Sequence, residues 1–165
     1  NKAHRLSGMY VPRNGGLLRT DNLGISLGGS FLEKPAFLAG GHGLTSTASD
    51  YMKFAQMHLN KGILNGTRIL SEEAIDLMRD NQLPKAVKEI GQPYPGNVFG
   101  LDFAVVDNSD AFQKAPVGTH WWWGIAGSWF WIDPVTETVF IGMIQNNDIL
   151  FSLQIHRAAR SAIYE

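Results

Sequence analysis

No cysteine occurs anywhere in the 165 residues, which excludes disulfide staples, a thiolate nucleophile and cysteine-ligated metal. Neither sign of charge is in excess: 14 basic against 15 acidic residues leave a formal net charge of -1. Lys and Arg gather on no segment, so the electrostatic footprint needed for a phosphate backbone or an anionic bilayer is missing. Neither nucleic acid nor a membrane is an expected partner. No apolar run reaches the ~18 residues of a membrane-crossing helix. The phosphate-loop pattern GxxxxGK[ST], the dinucleotide pattern GxGxxG, the zinc pattern HExxH and the GxSxG elbow are all absent, and no cofactor or metal is expected. His4, His58 and His156 have no partners at metal-ligand spacing. The chain starts at Asn1 with neither Met nor an apolar leader, and is read as part of a longer gene.

What is present suits a folded domain: 44% hydrophobic and 18% charged residues, enough to bury a core. Residues 1–45 are Gly-rich ("RNGG", "LGISLGGS", "FLAGGHGL"), which predicts ordered loop with one short hairpin. Residues 46–80 predict two helices. Ser46 or Thr47 caps the first, with Asp50 three residues after Thr47; Tyr51, Phe54, Ala55 and Leu59 form its apolar stripe, and Gly62 closes it. Asn65-Gly66 predicts a tight turn, and Ser71 caps the second helix, with Glu72 and Glu73 at the positive end of its dipole.

Residues 98–146 predict three antiparallel strands, "VFGLDFAVV", "GIAGSWFWI" and "TVFIGMIQ", the last two joined at Asp133-Pro134. Consecutive apolar residues such as Phe130, Trp131 and Ile132 place bulk on both faces of the sheet, so both faces should be covered. A terminal helix over 148–165, with Leu150, Leu153, Ala159 and Ile163 as its apolar stripe, is the expected cover for one of them. All five tryptophans lie within "HWWWGIAGSWFWIDP", residues 120–134. Core packing is the plain reading for Trp129 and Trp131, whereas Trp121 to Trp123 cannot all face one side, and at least one should border a cleft.

Three segments in order, "GGHGLTSTASDYMKFAQMHLNKGILNGTRILSEEAIDLM", "FGLDFAVV" and "WWWGIAGSWFWIDPVTETVFIGMIQN", resemble the serine β-lactamase and penicillin-binding-protein superfamily, in its class C-like esterase branch. The resemblance implies an α+β chain: the C-terminal part of a β-lactamase/transpeptidase-like fold, an antiparallel sheet flanked by helices. Trp123-Gly124-Ile125 stands where the family has Lys-Thr-Gly, His-Thr-Gly or Trp-Gly-Gly, departing at Ile125. By position Ala126 would lend its backbone N–H to half of an oxyanion hole, with Trp123 and Gly124 beside it. Trp122, Ile125, His120 and His42 are the implied substrate-binding residues. His120 is alternatively a surface histidine, His42 a turn residue and Trp123 a core residue.

The family's nucleophile lies in Ser-x-x-Lys and its second motif is Tyr-x-Asn or a lone Tyr. This chain has no Ser with Lys three residues on and no Tyr with Asn two residues on. The nucleophile is therefore expected in an N-terminal portion of the same protein, which becomes a partner of this one, with a small acyl substrate as the other. An esterase is expected, because Trp123 offers no cation to a substrate carboxylate. A β-lactamase or D-alanyl-D-alanine carboxypeptidase is one alternative, and a non-catalytic module stacking ligand on exposed indoles is another. An open sheet edge would favour a dimer or a strand-swapped assembly. The resemblance favours a bacterial periplasmic or secreted setting.

Overall fold

Thr47 opens the first helix as the sequence predicts. Its side chain accepts from the Asp50 N–H at 3.2 Å, in a computed structural model that describes residues 3–20, 34, 37, 38, 41 and 43–165. Helix α1 spans Ala48–Leu59, and helix α2 spans Glu72–Arg79 behind its Ser71 cap. Between them the short strands β3 (Ile63–Leu64) and β4 (Thr67–Arg68) turn on Asn65 and Gly66, whose φ values of 49° and 79° suit that pair. The hairpin expected among the first 45 residues is β1 (Met9–Arg13) with β2 (Gly16–Thr20). His42 lies outside the described residues.

The main sheet has five strands, not three. They are β5 (Asn97–Phe99), β6 (Ala104–Val106), β7 (His120–Trp123), β8 (Trp129–Asp133) and β9 (Thr138–Gly142), antiparallel and paired in sequence order. Two corrections follow. "VFGLDFAVV" is a pair of strands, because Asp102 at φ 68° turns the chain and the Gly100 N–H bonds to the Phe103 carbonyl at 2.8 Å. "GIAGSWFWI" is not continuous either: its first four residues form the turn between β7 and β8, and the three tryptophans before Gly124 are themselves the strand. Turn residues inside an apolar run hid both breaks.

The sheet is covered on both faces. On one face Phe103, Phe130 and Ile132 pack with Ala55 of α1, and Tyr51, Phe54 and Leu59 close around them. On the other, Trp121, Trp129 and Trp131 form a layer with Ala104, Val106 and Phe112, against which Ile155, Ala159 and Tyr164 pack. These last three belong to helix α3, Ile149–Tyr164.

The buried stripe of α3 differs from the expected apolar one. Its buried residues are Ser152, His156 and Arg160, one helical turn apart, while Leu150 is 73% exposed and Ile163 45% exposed. Helix phase, set by which residues meet Gly127 and Phe112, has overridden hydrophobicity here. Asp133 ends β8 fully buried; it accepts from the Val135 and Thr136 N–H groups at 2.8 and 3.2 Å and from the Tyr164 hydroxyl at 3.0 Å. Asp133-Pro134 thus begins the turn where the sequence places it, and also fastens the end of α3 to the sheet.

Candidate active site

Strand β7 is paired along both sides only at its start. β6 meets His120 and Trp121 and goes no further, so the edge of Trp122 and Trp123 is left open on that side. The chain then runs into the turn Gly124-Ile125-Ala126-Gly127, closed by the Gly124 N–H to the Ser128 carbonyl at 2.9 Å and the Gly127 N–H to the Gly124 carbonyl at 2.8 Å.

This turn is held from several sides. The Asn146 N–H donates to the Ala126 carbonyl at 2.8 Å, and the Ser128 hydroxyl donates to the Ile144 carbonyl at 2.8 Å. Residues 145–147 are in turn gripped by β1: the Tyr10 N–H reaches the Gln145 carbonyl at 3.0 Å, and the Asn147 N–H reaches the Tyr10 carbonyl at 2.9 Å. From α3, His156 approaches the Gly127 carbonyl at 3.1 Å through Nε2. A carbonyl only accepts, so that nitrogen carries the proton. Burial pushes His156 down to about 4, which keeps the ring neutral near pH 7.

Gly127 has φ 92°, and a Cβ there would stand 2.7 Å from Ile144 Cδ1 and 2.8 Å from Ser152 Oγ. Only glycine fits. Gly124 differs: a Cβ there would meet nothing within 4 Å. With carbonyls and flanks so engaged, the Ile125 and Ala126 N–H groups remain without a hydrogen-bond partner among the described residues. A pinned turn presenting free N–H groups can stabilise a developing negative oxygen without first having to reorganise.

Trp122, Trp123, Gly124, Ile125 and Ala126 are thus brought together at one end of β7. Trp122 and Trp123 are half-buried, Gly124 and Ile125 exposed. Their indoles leave the strand on opposite faces. Trp123 donates its ring N–H to the Tyr94 hydroxyl and meets His156 edge-on at 5.8 Å, and Trp122 meets Phe99 edge-on at 5.1 Å.

His120 is not part of this group. It is 1% exposed, at the far end of β7, with ring contacts to His58 at 5.7 Å and Phe103 at 5.4 Å. The surface reading of His120 is therefore corrected: the strand's alternation directs its ring under α1. Trp121, Trp129 and Trp131 are core, 2%, 6% and 1% exposed, so the three coplanar exposed indoles of a stacking module are not there.

Sequence reasoning missed His156 and Tyr94. The i, i+4, i+8 spacing of Ser152, His156 and Arg160 was the available signal for the first, and the apolar content of the same helix masked it. Tyr94 sits between Pro93 and Pro95, where the sequence has neither helical nor strand periodicity to single it out. Ser152 is 1% exposed and Ser128 is bonded to a backbone carbonyl, so neither serine is open to a substrate as a nucleophile. Among the described residues, no group of three or more His, Asp or Glu is placed to hold a metal ion.

The sheet between two helical covers is a β-lactamase-like α+β fold. A LovD6 mutant of simvastatin synthase from Aspergillus terreus superposes with a TM-score of 0.75 at 22% identity, over 98% of this chain and 42% of that one. EstCE1, a hydrolase with promiscuous acyltransferase activity, gives 0.75 at 20% identity, over 97% and 44%. The chain belongs to the Beta-lactamase family, which it matches over residues 2–163. Two Mycobacterium tuberculosis proteins, from strains CDC 1551 / Oshkosh and ATCC 25618 / H37Rv, are each 34% identical to it over 128 residues, 73% of this chain and 32% of theirs. The chain therefore spans about a third of the length of these relatives.

Proposed function

We propose that this chain forms one wall of a serine acyl-transfer site that cleaves or transfers small neutral acyl groups. The free Ala126 N–H, on a turn held by Asn146, His156 and Gly127, carries the reading: it is a preorganised donor beside an open strand edge. The nucleophilic Ser, its Lys and the Tyr come from polypeptide beyond these residues, in keeping with the absence of Ser-x-x-Lys here and the greater length of the relatives. Trp122 and Trp123, on opposite faces of the strand end, and Ile125 beyond them make the surroundings of the turn apolar, which suits a neutral ester and offers nothing to a carboxylate. The likeness to EstCE1, a hydrolase with promiscuous acyltransferase activity, supports the same reading.

Hydrolysis of p-nitrophenyl acetate and of a chromogenic cephalosporin, measured on this chain and on the full reading frame of its gene, tests the reading. Turnover by the longer protein alone, faster on the ester than on the β-lactam, is expected. Equal activity of the 165-residue chain would place the nucleophile within it and overturn the assignment, and faster β-lactam turnover would overturn the neutral substrate class.

A further inference from the structure

The turn that carries Ala126 is bounded by Gly124 and Gly127, and glycine loses more conformational freedom on ordering than any other residue. Its own sequence therefore does not hold it in one shape. At Gly127, with φ 92°, the missing side chain lets the following peptide turn over at little steric cost. What fixes the turn must come from outside it. Two donors do so, on successive carbonyls: the Asn146 N–H on that of Ala126 at 2.8 Å, and His156 Nε2 on that of Gly127 at 3.1 Å. The first is a backbone group, which any residue but proline supplies. The second depends on the side chain at position 156.

The His156 ring is seated for that contact. It is fully buried, with the Trp129 ring 4.3 Å away at 33° and the Trp123 ring 5.8 Å away at 72°. Helix α3 brings it there by close approach: one turn earlier, Ser152 Oγ stands 2.8 Å from where a Gly127 Cβ would be. Nδ1 is buried with no hydrogen-bond partner among the described residues. A neutral ring carries one N–H, and on Nδ1 that proton would have no acceptor while Nε2 faced the Gly127 carbonyl with a lone pair. On Nε2 it makes the bond. Inside an apolar surround, such a bond is costly to leave unmade.

We propose that His156 is a positioning residue of the acyl-transfer site: by holding the Gly127 carbonyl, its Nε2–H keeps the Ala126 N–H aimed where the oxyanion develops. It touches neither the substrate nor the reacting atoms. This inference rests on the acyl-transfer reading above and names the side chain on which the preorganisation of that turn depends. Because the same ring also meets Trp123, the turn and the strand end that bears it share one brace. Donors aimed in advance act on the transition state more than on bound substrate, so the effect falls on kcat rather than KM.

The experiment measures p-nitrophenyl acetate hydrolysis by the full reading frame, unaltered and with His156→Gln or His156→Leu. Glutamine places an amide N–H near the position of Nε2, whereas leucine fills similar space without a donor. His156→Leu should lower kcat about tenfold or more with KM changed less than about twofold, and His156→Gln should stay within about threefold of the unaltered protein. A loss shared equally by both variants, a change confined to KM, or full activity of His156→Leu overturns the positioning role and leaves the acyl-transfer reading standing. Absence of ester turnover by the unaltered protein overturns that reading, and this inference with it. A second measurement needs no variant. The ring nitrogen signals of isotope-labelled histidine at pH 7, assigned to His156 through its contact with the Trp129 ring, should show a neutral ring with its proton on Nε2. A proton on Nδ1 overturns the proposal, even where His156→Leu fails to fold.

Discussion

The rings of His58 and His120 stand 5.7 Å apart beneath α1, and three of their four nitrogens have no hydrogen-bond partner among the described residues. Burial depresses both, His58 to about 4 and His120 to about 3, and in each case a neighbouring cationic side chain or ring adds to it. Below about pH 6.5 the unfolded chain takes up protons here that the folded chain refuses, so stability falls with pH. The loss begins near 6.5 and is complete only near 3 to 4, at up to ~1.4 kcal/mol per pH unit per ring. Urea unfolding at pH 7.5 and 5.0 checks this: the midpoint should drop at pH 5.0, and His58→Leu should flatten the dependence. An unchanged midpoint would count against it.

The two glycines of the candidate turn should respond differently to alanine. Gly127→Ala forces a methyl group against Ile144 and Ser152 at φ 92°, and should cost about 2 kcal/mol or more. Gly124→Ala meets open space and should change stability by less than about 1 kcal/mol. Denaturant midpoints of the two variants settle the contrast, and equal losses would show that the turn is not held as described.

Trp123 and Tyr94 are coupled by one hydrogen bond across the cleft edge, indole N–H to phenol oxygen. Trp123→Phe and Tyr94→Phe should each destabilise, and the double variant should cost less than their sum. A coupling of about 0.5–1.5 kcal/mol in the double-mutant cycle is expected. Strict additivity would mean that the contact does not form in solution.

Asp133 gathers several donors in a fully buried place. Asp133→Ala should cost about 3 kcal/mol or more, because it leaves the turn N–H groups and the Tyr164 hydroxyl without their acceptor. Tyr164→Phe removes one bond and should cost about 1–2 kcal/mol. A larger loss for the tyrosine change than for the aspartate change would refute this ordering.

Much of the fold was legible in the sequence where local chemistry decides it. Thr47, Ser71 and Asn65-Gly66 announce their caps and turn within a few residues, and the structure places all of them as read. The sheet was less legible, because the breaks at Gly100–Phe103 and Gly124–Gly127 lie inside apolar runs whose continuity suggested longer strands. Of the candidate site, the run from Trp122 to Ala126 stands together, but His120 is in the core, a consequence of strand parity that a residue's chemistry does not reveal. The polar stripe of α3 was hidden for a related reason: its pattern matters only once Gly127, Phe112 and Gln113 are known to face it, and these are distant in sequence.

Because β5 to β9 each pair with their neighbour in sequence, the wall closes its hydrogen-bond ladder through the segments 100–103, 107–119, 124–128 and 134–137 and needs no crossover. Closure entropy rises only slowly with loop length, and short closures favour rapid assembly. The turn bearing Ala126 is itself one of those closures. A change that disrupts its shape therefore affects the assembly of the sheet as well as any chemistry at its surface, and the two effects separate only when folding rate and turnover are measured on the same variant.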